Sequence, residues 1–169
     1  MTTAPARITL SFTHSSFNPS TGSAFDGANV LARRSATGTT QYMFSLSRRD
    51  GKIMIKKKSP GGSGACAGSC SIKQTTFAPP VGVPQAVTAT VKTEATTCSN
   101  GQPKVTLTLK VGSSTTLTVT DCGQIDTSSS APTCPGASCV PPITAAGQIG
   151  ITAYGSSYTY DNLLVTDLP

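Results

Sequence analysis

The sequence predicts an all-β fold, an antiparallel β-sandwich stapled by disulfides, on three observations. Short runs of alternating apolar and polar residues recur along the chain and are divided by Gly, Pro, Ser and Asn clusters, the pattern of half-buried strands joined by turns. No stretch of a dozen residues carries a helical apolar period with caps. The composition agrees: 16 Gly and 12 Pro in 169 residues, with only 12% charged. A chain of this length can bury a sizeable core, and residues 1–169 read as one domain.

Taken in order, Arg7 to Thr13 alternates and reads as a strand, and Ser15 to Gly27 as a polar loop. Ala28 to Arg33 is a short apolar run, a buried strand, followed by a turn over Ala36 to Thr39. Gln41 to Arg48 places Tyr42, Phe44 and Leu46 on one face; Lys52 to Lys58 returns with Ile53, Ile55 and Lys57 aligned. Asp50-Gly51 between them signals a two-residue hairpin, because both turn positions tolerate positive φ. Ser59 to Cys70 is a Gly/Ser loop, Ser71 to Phe77 a short strand, and Pro79 to Pro84 a loop that cannot donate to a central ladder. Ala86 to Ala95 is a strand, Ser99-Asn100-Gly101 a turn, and Lys104 to Val111 with Thr115 to Asp121 a hairpin around Gly112-Ser113-Ser114. Cys122 to Pro142 is a long loop. Last come Gly147 to Tyr154 and Tyr158 to Thr166, read as a closing hairpin around Gly155-Ser156-Ser157. The alternation slips at Asp161-Asn162, which marks a bulge.

Six cysteines, an even number, favour disulfides and an oxidising compartment. We pair them as Cys66–Cys70, Cys98–Cys122 and Cys134–Cys139; six cysteines allow fifteen pairings, of which this is one. The start, Met1 to Pro5, lacks the basic and apolar regions of a secretory leader, as expected of a mature segment with an added initiator Met. No apolar run approaches membrane-spanning length. The net charge of +6 clusters between Arg33 and Lys58. This balance suits an acidic polymer, and a solvated face is the plainer account of it.

Three segments resemble the concanavalin A-like lectin/glucanase jelly rolls, including their laminin-G-like relatives. They are Gln41 to Ile53, an aromatic strand with a charged hairpin; Thr106 to Gly112 running into Leu117 to Asp121; and Gly147 to Ile151 followed by Tyr160-Asp161-Asn162-Leu163. The resemblance covers the C-terminal two thirds of the chain and implies a jelly-roll sandwich; the superfold carries many activities, so it implies no single one. Relatives begin with a further segment, often bearing Trp, that pairs near the closing strand. Trp is absent here. Either Arg7 to Thr13 supplies that strand, or a natural N-terminal segment is missing and leaves an edge open to self-assembly. The resemblance also implies a structural calcium at Asp161, with backbone carbonyls completing its oxygen shell. The plainer role of Asp161 or Asn162 is to satisfy backbone groups at the bulge.

The chemistry-bearing residues are sparse. A glycosidase needs two carboxylates across the scissile bond. Glu94 is the sole glutamate, and the Glu-x-Asp-x-x-Glu signature is absent. A lyase needs a neutralising group and a His/Tyr pair. His14 is the lone histidine and reads as an exposed loop residue, although Arg33, Arg48, Tyr42 and Tyr154 could line one sheet face. Serine-nucleophile and phosphate-loop patterns are missing. Glycan binding asks for an exposed aromatic among polar neighbours. The candidates are Tyr42, Tyr154, Tyr158 and Phe25, with Arg48, Arg49 and Lys56 meeting anionic sugars across one hairpin. The expectation is therefore a secreted, non-catalytic carbohydrate-binding or accessory domain with a polysaccharide partner, and neither nucleic acid nor membrane. The competing expectations are a lyase or hydrolase of the same fold and a coat or filament subunit.

Overall fold

The computed structural model describes residues 6–17, 27–47, 51–59, 70–123 and 141–167. These residues form ten strands: β1 (Ala6–Phe17), β2 (Gly27–Arg34), β3 (Gln41–Ser47), β4 (Lys52–Lys58), β5 (Cys70–Thr76), β6 (Gln85–Thr97), β7 (Pro103–Val111), β8 (Thr115–Asp121), β9 (Gln148–Tyr154) and β10 (Ser156–Asp167). They form two five-stranded sheets. Sheet A runs β10-β1-β6-β7-β8 and sheet B runs β5-β4-β3-β2-β9, with every strand pair antiparallel.

Alternation sets the two faces. In sheet A, Ile8, Leu10 and Phe12 of β1 point inward with Val87, Ala89 and Val91 of β6 and Leu107, Leu109 and Val111 of β7. From sheet B, Val30, Tyr42, Phe44, Leu46, Ile53 and Ile55 meet them. Burying each such side chain contributes about 1.5–3 kcal/mol, and this shared core is what holds the sheets face to face.

The turns follow the residues that make them. In the β7–β8 hairpin Val111 pairs with Thr115, and Gly112 takes φ 62° while its N–H donates to the Ala86 carbonyl at 2.8 Å. Between β3 and β4 the register pairs Ser47 with Lys52. Residues 48–50, including Asp50 of the expected Asp50-Gly51 turn, lie outside the described residues; Gly51 takes positive φ, 58°, just before Lys52.

Two expectations are corrected. The last two strands are not a hairpin: β9 pairs with β2 in sheet B and β10 with β1 in sheet A. The chain changes sheets at Gly155, φ 63°, so the apolar alternation on both limbs fills two sheets and not one. His14 is no loop residue. It lies within β1, fully buried, with its ring 4.9 Å from that of Tyr158.

The bulge expected at Asp161-Asn162 is present. Thr9 pairs with Leu164 and Ser11 with Asp161, one residue more on β10 than on β1, and Asn162 sits at φ 55°. A second bulge falls in β2, where Leu31 pairs with Gly150 but Arg34 with Gln148. There Arg33 takes φ 51°, which re-aims its side chain. Gly147 lies against this bulge: a Cβ on it would stand 2.6 Å from the Arg33 carbonyl carbon.

Candidate functional site

At one end of the sandwich the polar residues are locked together. Tyr42 and Lys57 are register partners on inward positions of β3 and β4. The Tyr42 hydroxyl donates to Asp121 Oδ2 at 2.7 Å, and Lys57 Nζ reaches the same oxygen at 2.8 Å. The Gly123 N–H donates to Oδ1 at 2.8 Å. Tyr42 also accepts the Ile143 N–H at 2.9 Å, and Arg33 Nη1 donates to the Ile143 carbonyl at 2.6 Å. Arg33 Nη2 continues to Thr93 Oγ1 at 2.8 Å. Burial, then the Asp121 charge, pushes the Tyr42 hydroxyl well above its ordinary pKa; burial lowers that of Arg33. Beside Asp121, Cys122 is bridged to Cys98. This network joins β2, β3 and β4 to β6 and β8, with Arg33, Tyr42, Lys57 and Asp121 all buried in it.

The other end of β4 is open. Lys52 pairs with Thr76, Ile53 with Thr75 and Met54 with Gln74. Because Ile53 points into the core, Lys52 points outward by alternation. Lys52, Gln74, Thr75 and Thr76 line a half-open cleft of about 320 Å³, at the lower end of the range for small-ligand sites. The Phe77 N–H donates to the Gly51 carbonyl at 2.8 Å and ties the end of β5 to the β3–β4 connection. The Lys52 ammonium, the Gln74 amide and the Thr76 hydroxyl share the outward parity, whereas Thr75 is the register partner of the inward Ile53; an ammonium, an amide and a hydroxyl offer both donors and acceptors to sugar hydroxyls.

The residues singled out from the sequence are scattered. Tyr42 is fully buried and Lys56 is 5% exposed, so neither faces a ligand. Alternation does put Lys56 on the outer face of sheet B, but it pairs with Met43 and is covered there. Tyr158 is half-buried on the core, 5.6 Å from the Phe12 ring. Tyr154 is 56% exposed, at the edge of sheet B away from the cleft. Arg48, Arg49 and Phe25 lie outside the described residues, as do the Cys66–Cys70 and Cys134–Cys139 pairings.

Asp161 is exposed, and its Oδ1 accepts the Asn162 N–H at 2.7 Å within the bulge. Among the described residues no group of three or more His, Cys, Asp or Glu side chains gathers to hold a metal. Of the other described acids, Glu94 pairs with Lys92 at 3.0 Å. That hydrogen bond, first among its causes, lowers its pKa. The cleft itself was missed: β5 reads only as a short strand, and Gln74, Thr75 and Thr76 gain meaning from their register with β4.

No protein-family model matches the sequence, and no curated protein matches it. Among solved structures, the chain is similar in fold to the carbohydrate-binding module CBM66 from Bacillus subtilis, with a TM-score of 0.59 and 9% sequence identity over 98% of this chain and 76% of that one.

Proposed function

We propose that this chain is a non-catalytic glycan-binding module of the concanavalin A-like kind, acting outside the cell as a single domain. The observation that carries it is the open, hydroxyl- and amide-lined cleft of Lys52, Gln74, Thr75 and Thr76, on a sandwich whose solved neighbour is itself a carbohydrate-binding module. The Cys98–Cys122 bridge supports an oxidising location. The test is retention in native gels cast with a panel of polysaccharides. Gln74→Ala and Thr76→Ala each remove one hydrogen-bonding group and weaken binding about three- to tenfold. Variants that bind as the parent does would move the site off this cleft, and a protein that no glycan retards would end the reading.

One observation favours a second reading, assembly through an open edge. β10 ends sheet A, and its Leu163, Leu164 and Val165 are 53%, 56% and 44% exposed. An unpaired apolar edge strand invites strand addition by another copy. Sedimentation of the parent and of Leu164→Lys tests it: a concentration-dependent oligomer lost in the variant supports assembly, and a monomer at every concentration rejects it.

A further inference from the structure

The buried contact between Lys57 and Asp121 is set up for more than an ion pair. Lys57 lies on β4 and Asp121 ends β8, so the two come from opposite sheets. They are 9% and 4% exposed, and Nζ stands 2.8 Å from Oδ2. A lysine amine and an aspartate carboxyl join to an amide by loss of water. Free in solution they do not, because two separate molecules must meet in competition with solvent. Here the fold has already brought them together, which for well-oriented groups is worth an effective concentration on the order of 10⁵ M or more. A low-dielectric surround also disfavours a charged pair relative to the neutral amine and acid that react.

The two oxygens of Asp121 are held differently. Oδ1 accepts the Gly123 N–H at 2.8 Å. A tetrahedral intermediate at Cγ carries its negative charge on that oxygen, and a fixed backbone donor stabilises it there. Oδ2, which Lys57 reaches, accepts the Tyr42 hydroxyl at 2.7 Å, so a donor stands at the oxygen that must leave. Burial and then the Asp121 charge push the Tyr42 pKa up, so this hydroxyl keeps its proton. The Ile143 N–H donates to the same hydroxyl at 2.9 Å and holds it in place.

We infer that Lys57 and Asp121 condense to an isopeptide bond that crosslinks β4 to β8. One ammonium proton passes from Nζ to Oδ2 along the ion pair. The neutral Nζ then adds to Cγ, forming the N–C bond and placing the charge on Oδ1. A second Nζ proton moves to Oδ2, the Cγ–Oδ2 bond breaks, and Oδ2 leaves as water. Ammonium and carboxylate become one amide and one water, with the net charge unchanged and no other reactant consumed. The bond stands beside the Cys98–Cys122 bridge and ties the same end of the sandwich by a link that reductants do not open. Strand parity selects the lysine: Lys57 shares the inward parity of Ile53 and Ile55, and Lys56 and Lys58 fall on the other.

The experiment weighs the chain. Fresh protein, and protein incubated for days at neutral pH, is reduced, alkylated and measured by intact mass spectrometry. The expected result is a fresh chain largely at full mass, with the ion pair intact, and a species lighter by one water that accumulates on incubation. Tryptic digestion of that species should yield a branched peptide joining Lys57 to the segment that follows Lys110. Lys57→Arg keeps the charge, but its guanidinium stays protonated and does not acylate, so this variant holds its full mass. Tyr42→Phe removes the donor at Oδ2 and slows accumulation on the order of a hundredfold. A parent still at full mass after incubation would overturn the inference, and that result requires no variant to fold. A water loss that persists in Lys57→Arg, or that maps to Asp50-Gly51, where an unhindered glycine N–H favours succinimide closure, would overturn it as well. A branch through Lys56 or Lys58 would overturn the site. Equal rates in the parent and in a Tyr42→Phe variant folded by circular dichroism would overturn the part given to Tyr42.

Discussion

Asp121 offers the sharpest test of what holds the sandwich at its closed end. It is 4% exposed and receives Lys57, the Tyr42 hydroxyl and the Gly123 N–H. Asp121→Asn keeps the shape and an acceptor but removes the charge that the Lys57 ammonium meets at 2.8 Å, in a site that is 9% exposed. Breaking a buried pair from one side costs about 3–5 kcal/mol. Lys57→Met leaves the carboxylate with two donors and costs less, about 1–3 kcal/mol. Removing both charges together removes the penalty of stranding either. The double variant is therefore expected within about 2 kcal/mol of the parent, a coupling of at least about 2 kcal/mol. Urea unfolding of the oxidised protein, followed by circular dichroism at neutral pH, measures the cycle. Should Asp121→Asn fail to fold, restoration of a cooperative transition by Lys57→Met is the same evidence. Single costs that add to within about 0.5 kcal/mol would refute the reasoning, since independent residues would then replace a coupled pair.

Three other outcomes follow from the same structure. Cys98→Ala/Cys122→Ala opens a loop of 24 residues in sequence separation and should lower stability by about 3.5 kcal/mol on the chain-entropy account, read as a fall in the urea midpoint with little change in the folded spectrum. Gly147→Ala drives a Cβ to 2.6 Å and 2.8 Å from backbone atoms of Arg33 and Arg34; it should cost about 1–3 kcal/mol by overpacking, and a midpoint equal to the parent's would show that the bulge yields freely. Burial pushes the Tyr160 hydroxyl up to about 12, and Tyr42 is raised as well. The folded chain thus keeps these protons longer than the unfolded one, so stability is level below about pH 10 and falls as pH rises toward 12. Melting temperatures across that window, with Tyr160→Phe showing a shallower fall, check the sign.

The strands were legible in the sequence because alternation and turn residues are local. Val111-Gly112 and Ser99-Asn100-Gly101 announce their turns without help from the rest of the chain. The partner of each strand is not local information. Gly147 to Thr166 carries apolar alternation on both sides of Gly155, and that pattern fits a hairpin and a corner between sheets equally well; only the competition for β1 and β2 decides. The Asp161-Asn162 slip was legible as a bulge because it broke a period within one strand. The β2 bulge was not, since Ala28 to Arg33 has no period to break. Pairing Cys98 with Cys122 followed from the hairpin their strands make. Tyr42 was misjudged because an aromatic on an alternating strand reads the same whether its hydroxyl ends in solvent or on a buried carboxylate.

The lysines of β4 carry this point into the site. Lys52 and Lys57 are the same residue type on one strand, about 17 Å apart at the rise of an extended chain. Lys57 falls on the parity of Ile53 and Ile55, so it enters the core and is matched by Asp121. Lys52 falls on the opposite parity, beside the β3–β4 connection, where β5 supplies hydroxyls and an amide. Lys56 shares the parity of Lys52 yet is buried, so parity alone does not make a binding group. Recognition needs outward parity, a strand end and an edge neighbour that leaves a cleft. Among the residues of β4, Lys52 meets all three conditions, and a charge placed there is free to act on a ligand without being needed to hold the two sheets together.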